Sequence, residues 1–253
     1  MQPKFVTGEP ALLIGKNLVI TDLHIGIEYR YRKNGINIPS QSGKLTERIE
    51  KLLEDTGAEK LIILGDIKHK VPGTSFQEER DIPVFFQRLS ENVKIEVTPG
   101  NHDDNIGKML PDSVVVHEST GFAIEDTWLC HGHAWPDKEF LGKERVVMGH
   151  NHASVELVDK LGYRWNDPVW LRAELNRKKL SEKYKIPPKT RLPEIILMPP
   201  FNDFTGLIPL NKRAAVVRNY QKEGPNPMFK ISKKNKARVY MIDGTFLGEL
   251  GKL

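Results

Sequence analysis

Most histidines of this chain lie in short clusters together with aspartate, asparagine and glycine. Seven of the eight fall in five clusters, and only His117 lies outside them. The clusters are Asp22-Leu23-His24, Gly65-Asp66-Ile67-Lys68-His69, Gly100-Asn101-His102-Asp103, His131-Gly132-His133 and Gly149-His150-Asn151-His152. Carboxylate, imidazole and amide ligands without thiolate suit Mn, Fe or Zn rather than an iron–sulfur cluster or copper(I). One such motif arises easily by chance, but five in order indicate a metal site.

Two cations held close together need an anionic bridge between them. Asp66 lies in the middle of the set and is the natural candidate for that bridge. A two-metal site activates a shared water and holds both the attacking and the leaving oxygen of an in-line displacement. The clusters therefore predict the chemistry of phosphate esters.

Short apolar runs precede the clusters and have the length and composition of buried strands. The runs are Leu18–Ile20, Leu61–Leu64, Ile95–Val97, Trp128–Cys130 and Val146–Met148. Helical spacing of leucine and isoleucine predicts a helix over Ser42–Asp55, and Phe76–Leu89 is a weaker helix interrupted by Pro83. Alternating strands and helices favour an α/β fold in layers. Ligands gather outside the carboxyl ends of strands in such folds, so the five clusters can converge.

The last hundred residues have a different character. We predict a basic helix over Ala173–Tyr184, a strand over Ile195–Met198 and a loop over Pro199–Asp203. Two further strands, Arg238–Ile242 and Thr245–Leu250, flank Asp243-Gly244, which favours a hairpin with a type I′ turn.

Charge is unevenly distributed along the 253 residues. Residues 1–152 carry 18 Lys and Arg against 23 Asp and Glu, whereas residues 153–253 carry 20 against 10. The basic C-terminal part indicates either an anionic partner such as nucleic acid or a surface rich in solvated lysines. Lys178, Lys179, Lys183 and Lys185 are open to both interpretations.

Several sequence features favour a cytoplasmic protein without a membrane span. No apolar run approaches the ~20 residues of a membrane helix, and the N-terminus lacks the pattern of a leader peptide. The one cysteine, Cys130, excludes an internal disulfide and fits a reducing compartment. It precedes a candidate ligand on a buried strand, where a small core residue is the expected role.

The ordered motifs resemble those of the calcineurin-like metallophosphoesterases, over residues 18–153. This resemblance implies a four-layer α/β fold, a β sandwich flanked by helices. We expect one unit over residues 1–253, in which 1–158 form the metal-site core and 159–253 complete the sheet and rim the site. The resemblance also implies two divalent ions, manganese first, with Fe, Zn or Ni as alternatives.

The same resemblance assigns roles to individual residues. Asp22, His24, Asp66 and His152 would hold one metal. Asp66, Asn101, His131 and His150 would hold the other. His102 would stabilise the phosphoryl oxygens or protonate the leaving oxygen, and Asp103 would orient His102 from behind.

Longer strings point to a subfamily. Asp22 to Glu28, Gly65 to His69 and Pro199 to Asn202 are similar to archaeal SbcD-related phosphoesterases and to their ligase-associated bacterial relatives. That similarity implies DNA or a nucleotide as substrate, with a DNA-repair helicase or ligase as a possible partner. Only 101 residues follow His152, too few for both the capping domain and the ATPase-docking segment of SbcD nucleases.

Some questions stay open at this level. A small nucleotide or cyclic nucleotide is an alternative substrate, and a non-catalytic scaffold is a second alternative, although scaffolds typically lose ligands. His133 could contact substrate or serve packing. Lys68 and His69 could bind phosphate or simply pack.

Overall fold

The structure is a computed structural model, and it describes residues 2–212 and 226–253. Two sheets are stacked against each other. The first has the order β1-β2-β3-β4-β5-β6, and β3 to β6 run parallel. Its strands are β1 (Lys4–Phe5), β2 (Leu12–Ile14), β3 (Asn17–Ile20), β4 (Lys60–Leu64), β5 (Lys94–Thr98) and β6 (Val115–Val116).

The second sheet contains nine strands in the described part of the chain and has the order β13-β10-β11-β12-β9-β8-β7. A hairpin of β14 and β15 joins it along β11. The strands are β7 (Phe122–Ile124), β8 (Thr127–Leu129), β9 (Arg145–Met148), β10 (Ala153–Val158), β11 (Arg164–Glu174), β12 (Glu194–Leu197), β13 (Ile208–Pro209), β14 (Arg238–Met241) and β15 (Phe246–Glu249).

Helices cover the outer faces of both sheets. They are α1 (Glu28–Lys33), α2 (Ser42–Thr56), α3 (Phe76–Ser90), α4 (Arg177–Ser181) and α5 (Pro227–Lys230), with 3-10 turns at Ile106–Met109, Lys138–Gly142, Lys234–Lys236 and Leu250–Lys252. The longest, α2 and α3, pack on the first sheet. None of the described helices is long and apolar enough to cross a bilayer.

Three buried clusters account for the layers. The middle cluster joins the sheets, with Val19 and Ile62 from the first and Val147 and Trp170 from the second. The other two lie between each sheet and its helices. Because strand side chains alternate in direction, each sheet is apolar on both faces, as burial between two layers requires. The predicted sandwich flanked by helices is confirmed.

The predicted strands and long helices are present, and three local predictions need correction. Helix α3 runs through Pro83 without a break, since Ile82 and Phe86 on either side are fully buried in the core. The predicted basic helix is wrong in its first part, because Ala173 belongs to β11 and pairs with Ile195 of β12. Only Arg177–Ser181 is helical, and the side chain of Asn176 caps it.

The terminal hairpin forms as predicted, but its turn is not type I′. A type I′ turn needs positive φ at both central residues. Gly244 has φ of 92°, whereas Asp243 is not among the positive-φ residues. The strands instead pair Tyr240 with Phe246 around a longer loop, in which the Asp243 carboxylate accepts a hydrogen bond from Thr245 N.

Candidate metal centre

The five His/Asp/Asn clusters meet at one edge of the sandwich. Strands β3, β4 and β5 of the first sheet are parallel, as are β8, β9 and β12 of the second. The clusters follow the carboxyl ends of five of these strands. The Gly149 amide donates to His131 O at 2.9 Å, and the His150 amide approaches Asp22 Oδ2 at 3.2 Å, so the loops of the two sheets are in contact.

One group of possible metal ligands consists of Asp22, His24, Asp66 and His152. All four are buried, and one ligand atom from each lies within 4.8 Å of the others. The Nε2 atoms of His24 and His152 are 3.0 Å apart. His24 Nε2 is 3.5 Å from Asp66 Oδ2, and His152 Nε2 is 3.6 Å from Asp22 Oδ1. Two nitrogens bound to one cation at ~2.1 Å lie about 3 Å apart, so this spacing fits a shared ion.

A second group shares Asp66 with the first and adds His131 and His150. His131 Nε2 lies 3.3 Å from Asp66 Oδ1. The side-chain oxygen of Asn101 is buried and receives no hydrogen bond from the described residues. A buried amide oxygen without a donor is costly, and a cation would compensate that cost. Asp66 is therefore placed where it can contribute to both groups.

Backbone carbonyls fix the orientation of the histidine rings. His131 Nδ1 lies 2.7 Å from Leu64 O, and His152 Nδ1 lies 2.9 Å from Gly206 O. With Nδ1–H donated to a carbonyl, Nε2 is the ring nitrogen that faces the carboxylates. Metal-bound histidines in proteins usually have this arrangement.

The buried carboxylates of the site are stabilised by positive charge nearby. Burial, and after it the charge of His131, lower the pKa of His150 to about 3. Burial would also lower the pKa of His131, but Asp66 and then Asp22 outweigh it and raise this pKa to about 10. Burial alone would raise the pKa of Asp66, yet His131 holds it well below its ordinary value. A proton on His131 thus compensates buried carboxylates, a task that a bound cation can perform.

His102 lies beside both groups and is only slightly exposed. Its Nε2 is 4.0 Å from Asp66 Oδ2, and its Nδ1 is 2.6 Å from the carbonyl oxygen of His69. The prediction that Asp103 orients His102 is wrong. The Asp103 carboxylate instead accepts hydrogen bonds from the backbone amides of Ile67, Lys68 and Gly100. It therefore joins the Asp66 loop to the Asn101 loop, and the His69 carbonyl holds the ring.

Two neighbours of Asp66 can now be placed. Lys68 is fully buried, and its Nζ donates to the carbonyl oxygens of Lys70 and Gly73 and pairs with Asp104. It therefore packs and does not face a phosphate. The His69 ring lies against the ring of the candidate ligand His24, with 3.3 Å between the two Nδ1 atoms.

The Pro199–Asp203 loop lies behind the first cluster. Phe201 N donates to Thr21 O, and the Asn202 side chain donates to Leu23 O at 2.7 Å. Together these bonds hold the Asp22 loop in place from the second sheet. The loop is therefore a support for Asp22.

His133 and Cys130 are the remaining two residues that the sequence analysis singled out. His133 is close to His131, with ring centroids 5.4 Å apart, but it belongs to none of the three groups of described side chains that could hold a metal, the third being His24, His69 and His102. Cys130 is buried, and burial raises its pKa to about 12, which fits a core residue.

Sequence reasoning missed residues that act through the backbone or over long separations. Gly206 orients His152 from 54 positions away. Asn226 donates to the Asn151 side chain at 2.8 Å, within the last cluster. Neither carries a sequence signal, since a carbonyl is common to all residues and Asn226 stands in no motif.

Comparisons with known proteins bear on the fold and on the family. Among solved structures, the chain is similar to Pseudomonas putida nuclease MPE, with 21% identity and a TM-score of 0.58, over 97% of this chain and 99% of that one. It is also similar to Yfce, a phosphoesterase from E. coli, with 20% identity and a TM-score of 0.35, over 56% of this chain and 73% of that one. No curated protein matches the sequence. The profile of the calcineurin-like phosphoesterase family matches residues 16–186, more than half of the sequence, and the chain therefore belongs to that family.

Proposed function

We propose that this protein is a binuclear-metal-dependent phosphodiesterase that acts on nucleic acid. One observation carries the proposal. Two groups of buried ligands share Asp66, and His102 stands beside them. Family membership implies a metal-dependent phosphoesterase, and the metal identity, diester bond and nucleic-acid substrate are the proposed parts.

The proposed ligand assignment follows the two groups. Asp22, His24, Asp66 and His152 hold one ion. Asp66, Asn101, His131 and His150 hold the other. Manganese is the proposed metal, because carboxylate, amide and imidazole ligands without thiolate suit it. Bound ions would supply Lewis-acid polarisation of the phosphoryl oxygens and a nucleophilic water at neutral pH.

His102 is the proposed proton donor to the leaving oxygen. Its Nδ1 faces the His69 carbonyl, which can only accept, so the first proton resides on Nδ1. To act as that donor, His102 would carry a second proton on Nε2, the atom that faces Asp66 across 4.0 Å. The imidazolium would then present Nε2–H to the departing oxygen.

Nucleic acid is the proposed substrate class because of charge. Residues 153–253 carry 20 Lys and Arg against 10 Asp and Glu. The four lysines between Lys178 and Lys185 are exposed, as binding to a phosphate backbone requires. A nuclease with the same fold is a precedent on this scaffold. A subfamily close to the SbcD-related phosphoesterases, a cytoplasmic location and a repair helicase or ligase partner belong to the same proposal.

A substrate panel tests the proposal directly. The Mn-loaded protein would be incubated with single- and double-stranded DNA, cyclic nucleotides, a chromogenic diester and a chromogenic monoester. We expect diester cleavage, with DNA cleavage falling roughly tenfold or more between about 50 and 200 mM salt, because phosphate contacts release counterions. Asp66→Ala is the inactive control.

The other outcomes favour other functions. Cleavage of cyclic nucleotides with intact DNA at low salt would replace nucleic acid by a small nucleotide as the substrate. No turnover of any diester by a protein that binds no manganese would favour a non-catalytic scaffold.

A further inference from the structure

A cavity of about 330 Å³ lies between α1 and the start of α3. Helix α1 contributes Tyr29 and Arg32, the intervening loop contributes Lys70, and α3 begins with Phe76. None of these residues belongs to the candidate ligands. The volume lies at the small end of the range for ligand pockets, which suits one ring system rather than a large cofactor.

The lining combines aromatic rings with positive charge. The Phe76 side chain is 92% exposed, so its ring is open to a ligand. Among the described residues of the lining, Arg32 and Lys70 are cationic and Glu79 is the one acid. A single exposed phenylalanine needs no explanation. An open ring flanked by cations is the combination that binds a nucleobase and its phosphate in sites for single-stranded nucleic acid.

The wall of this cavity is continuous with the metal centre. Lys70 directly follows His69, whose ring is stacked near that of His102 with centroids 5.8 Å apart. The Glu78 carboxylate accepts hydrogen bonds from the amides of His69 and Lys70, at 2.9 and 2.6 Å. It also accepts from Ser75 N, just before Phe76. One carboxylate thus fixes both the His69 loop and the start of α3, so the position of the cavity relative to His102 is rigid.

We propose that this cavity binds the base of the leaving nucleotide, which stacks on Phe76 while Arg32 and Lys70 attract the adjoining phosphate. This inference rests on the proposed function, because it takes His102 as the group that protonates the leaving oxygen. The leaving nucleoside must then lie on the His102 side of the reacting phosphate. We place the cavity on that side because Lys70, which lines it, directly follows His69, and the His69 ring lies beside that of His102.

Paired dinucleotides test the assignment. Both have the same scissile bond, and the leaving residue carries a base in one and is abasic in the other. For the Mn-loaded wild type we expect kcat/KM to be roughly 5- to 150-fold higher with the base, the range for stacking on one aromatic side chain. Phe76→Ala should bring the ratio close to one by lowering kcat/KM for the dinucleotide with the base, and Phe76→Trp should preserve the ratio.

Phe246→Ala is the matched control, because Phe246 is 55% exposed and lies on β15 of the second sheet. It should keep the wild-type ratio. Equal rates for the two dinucleotides in the wild type would overturn the inference, as would an undiminished preference in Phe76→Ala. A Phe76-dependent preference for a base on the other side of the scissile phosphate would overturn the assignment to the leaving residue.

A binding measurement separates this inference from the proposed function. Saturation-transfer NMR on the metal-free protein should show transfer to the base protons of the dinucleotide, and Phe76→Ala should lose most of it. If the loaded protein cleaves no diester, the proposed function fails. The NMR comparison then tests by itself whether the cavity binds a base. Saturation transfer that does not depend on Phe76 would overturn the inference.

Discussion

The backbone of most candidate ligand residues adopts a conformation that L-amino acids rarely take. Seven non-glycine residues of the described chain have positive φ, and five of these are candidate ligands. They are Asp22, His24, Asp66, His150 and His152. Such conformations cost of order 1–3 kcal/mol each and persist only where the surrounding structure enforces them. The strain at these positions is what directs side chains from separate strands toward one point.

A substitution of His102 distinguishes a role in catalysis from a role in metal binding. His102→Ala should lower kcat on a phosphodiester by about two orders of magnitude or more, since a general acid contributes 10²–10⁴-fold. Manganese binding, measured by calorimetry, should stay close to wild type, because His102 lies outside the two groups that share Asp66. His117→Ala, remote from the site, should leave kcat unchanged. Loss of metal in His102→Ala would show that His102 is a ligand.

Among the elements, the loop after β5 depends on a glycine for its packing. A Cβ on Gly100 would lie 2.2 Å from Asp66 Oδ1 and 2.4 Å from Asp66 N, a contact that cannot form without movement of the loop. Gly107, in the 3-10 turn that follows, has nothing within 4 Å of the same position. Neither glycine has a positive φ, so the comparison tests what surrounds the added Cβ.

Gly100→Ala should therefore weaken manganese affinity by about tenfold or more, comparable to the loss of a residue that supports a metal ligand. Activity should fall with it, and the thermal midpoint should drop. Gly107→Ala should match the wild type in all three measurements. Equal metal affinity in the two variants would contradict the tight contact between the Gly100 and Asp66 loops.

Strand β5 also carries an ionisable side chain, Glu96, that contacts two neighbouring side chains. The Glu96 carboxylate pairs with Lys60 of β4 and lies 2.8 Å from His117 Nε2. Burial raises the pKa of Glu96, but the hydrogen bonds from Lys60 and His117 outweigh it and hold the pKa below its ordinary 4.5. A depressed carboxyl pKa contributes stability above the unfolded-state pKa, and this is lost as pH falls through the folded-state pKa.

Glu96→Gln should therefore lower the free energy of unfolding by about 1–2 kcal/mol near neutral pH, the scale of hydrogen bonds to a charged group. Well below the ordinary carboxyl pKa of 4.5 the difference from wild type should shrink, as linkage requires. Urea unfolding at both pH values checks this. Glu59→Gln is the control, because Glu59 and its partner Lys16 are both about two-thirds exposed and such pairs contribute little. A difference that does not change with pH would refute the ionic explanation.

For the molecule as a whole, the candidate ligands connect the two sheets. Asp22, His24, Asp66 and Asn101 follow strands of the first sheet, whereas His131, His150 and His152 follow strands of the second. A cation held by both sets binds the folded chain and not the unfolded one. Metal binding should therefore stabilise the entire sandwich.

Added manganese should raise the thermal midpoint. At free metal of about 100 times Kd the gain is about 2.7 kcal/mol, which for a chain of this size corresponds to roughly 5–10 °C. Calorimetry with and without chelator measures the shift. Asp66→Ala should show no metal-dependent shift, and a shift of the same size in that variant would place the stabilising ion elsewhere.

The sequence by itself determined the strands, the long helices and the types of the ligands. The runs before each cluster are apolar enough to be buried strands in any arrangement, and the Asp, Asn and His side chains that the clusters repeat are of the types that bind hard or borderline cations. These properties are local, so they can be predicted from neighbouring residues. The extent of the basic helix and the hairpin turn could not be, because strand pairing of Ala173 with Ile195 and of Tyr240 with Phe246 outweighs local preference.

Only the tertiary structure decided how the site is supported. The family resemblance assigned Asp103 to His102, yet the Asp103 carboxylate accepts hydrogen bonds from amides of the Asp66 loop, 35 and 36 positions away. His102 is held by the His69 carbonyl, and His152 by that of Gly206. Carbonyls and amides are the same in every residue, so no side-chain pattern reveals which of them will meet a ligand. Their positions depend on how the two sheets stack, and that stacking is a property of the whole chain.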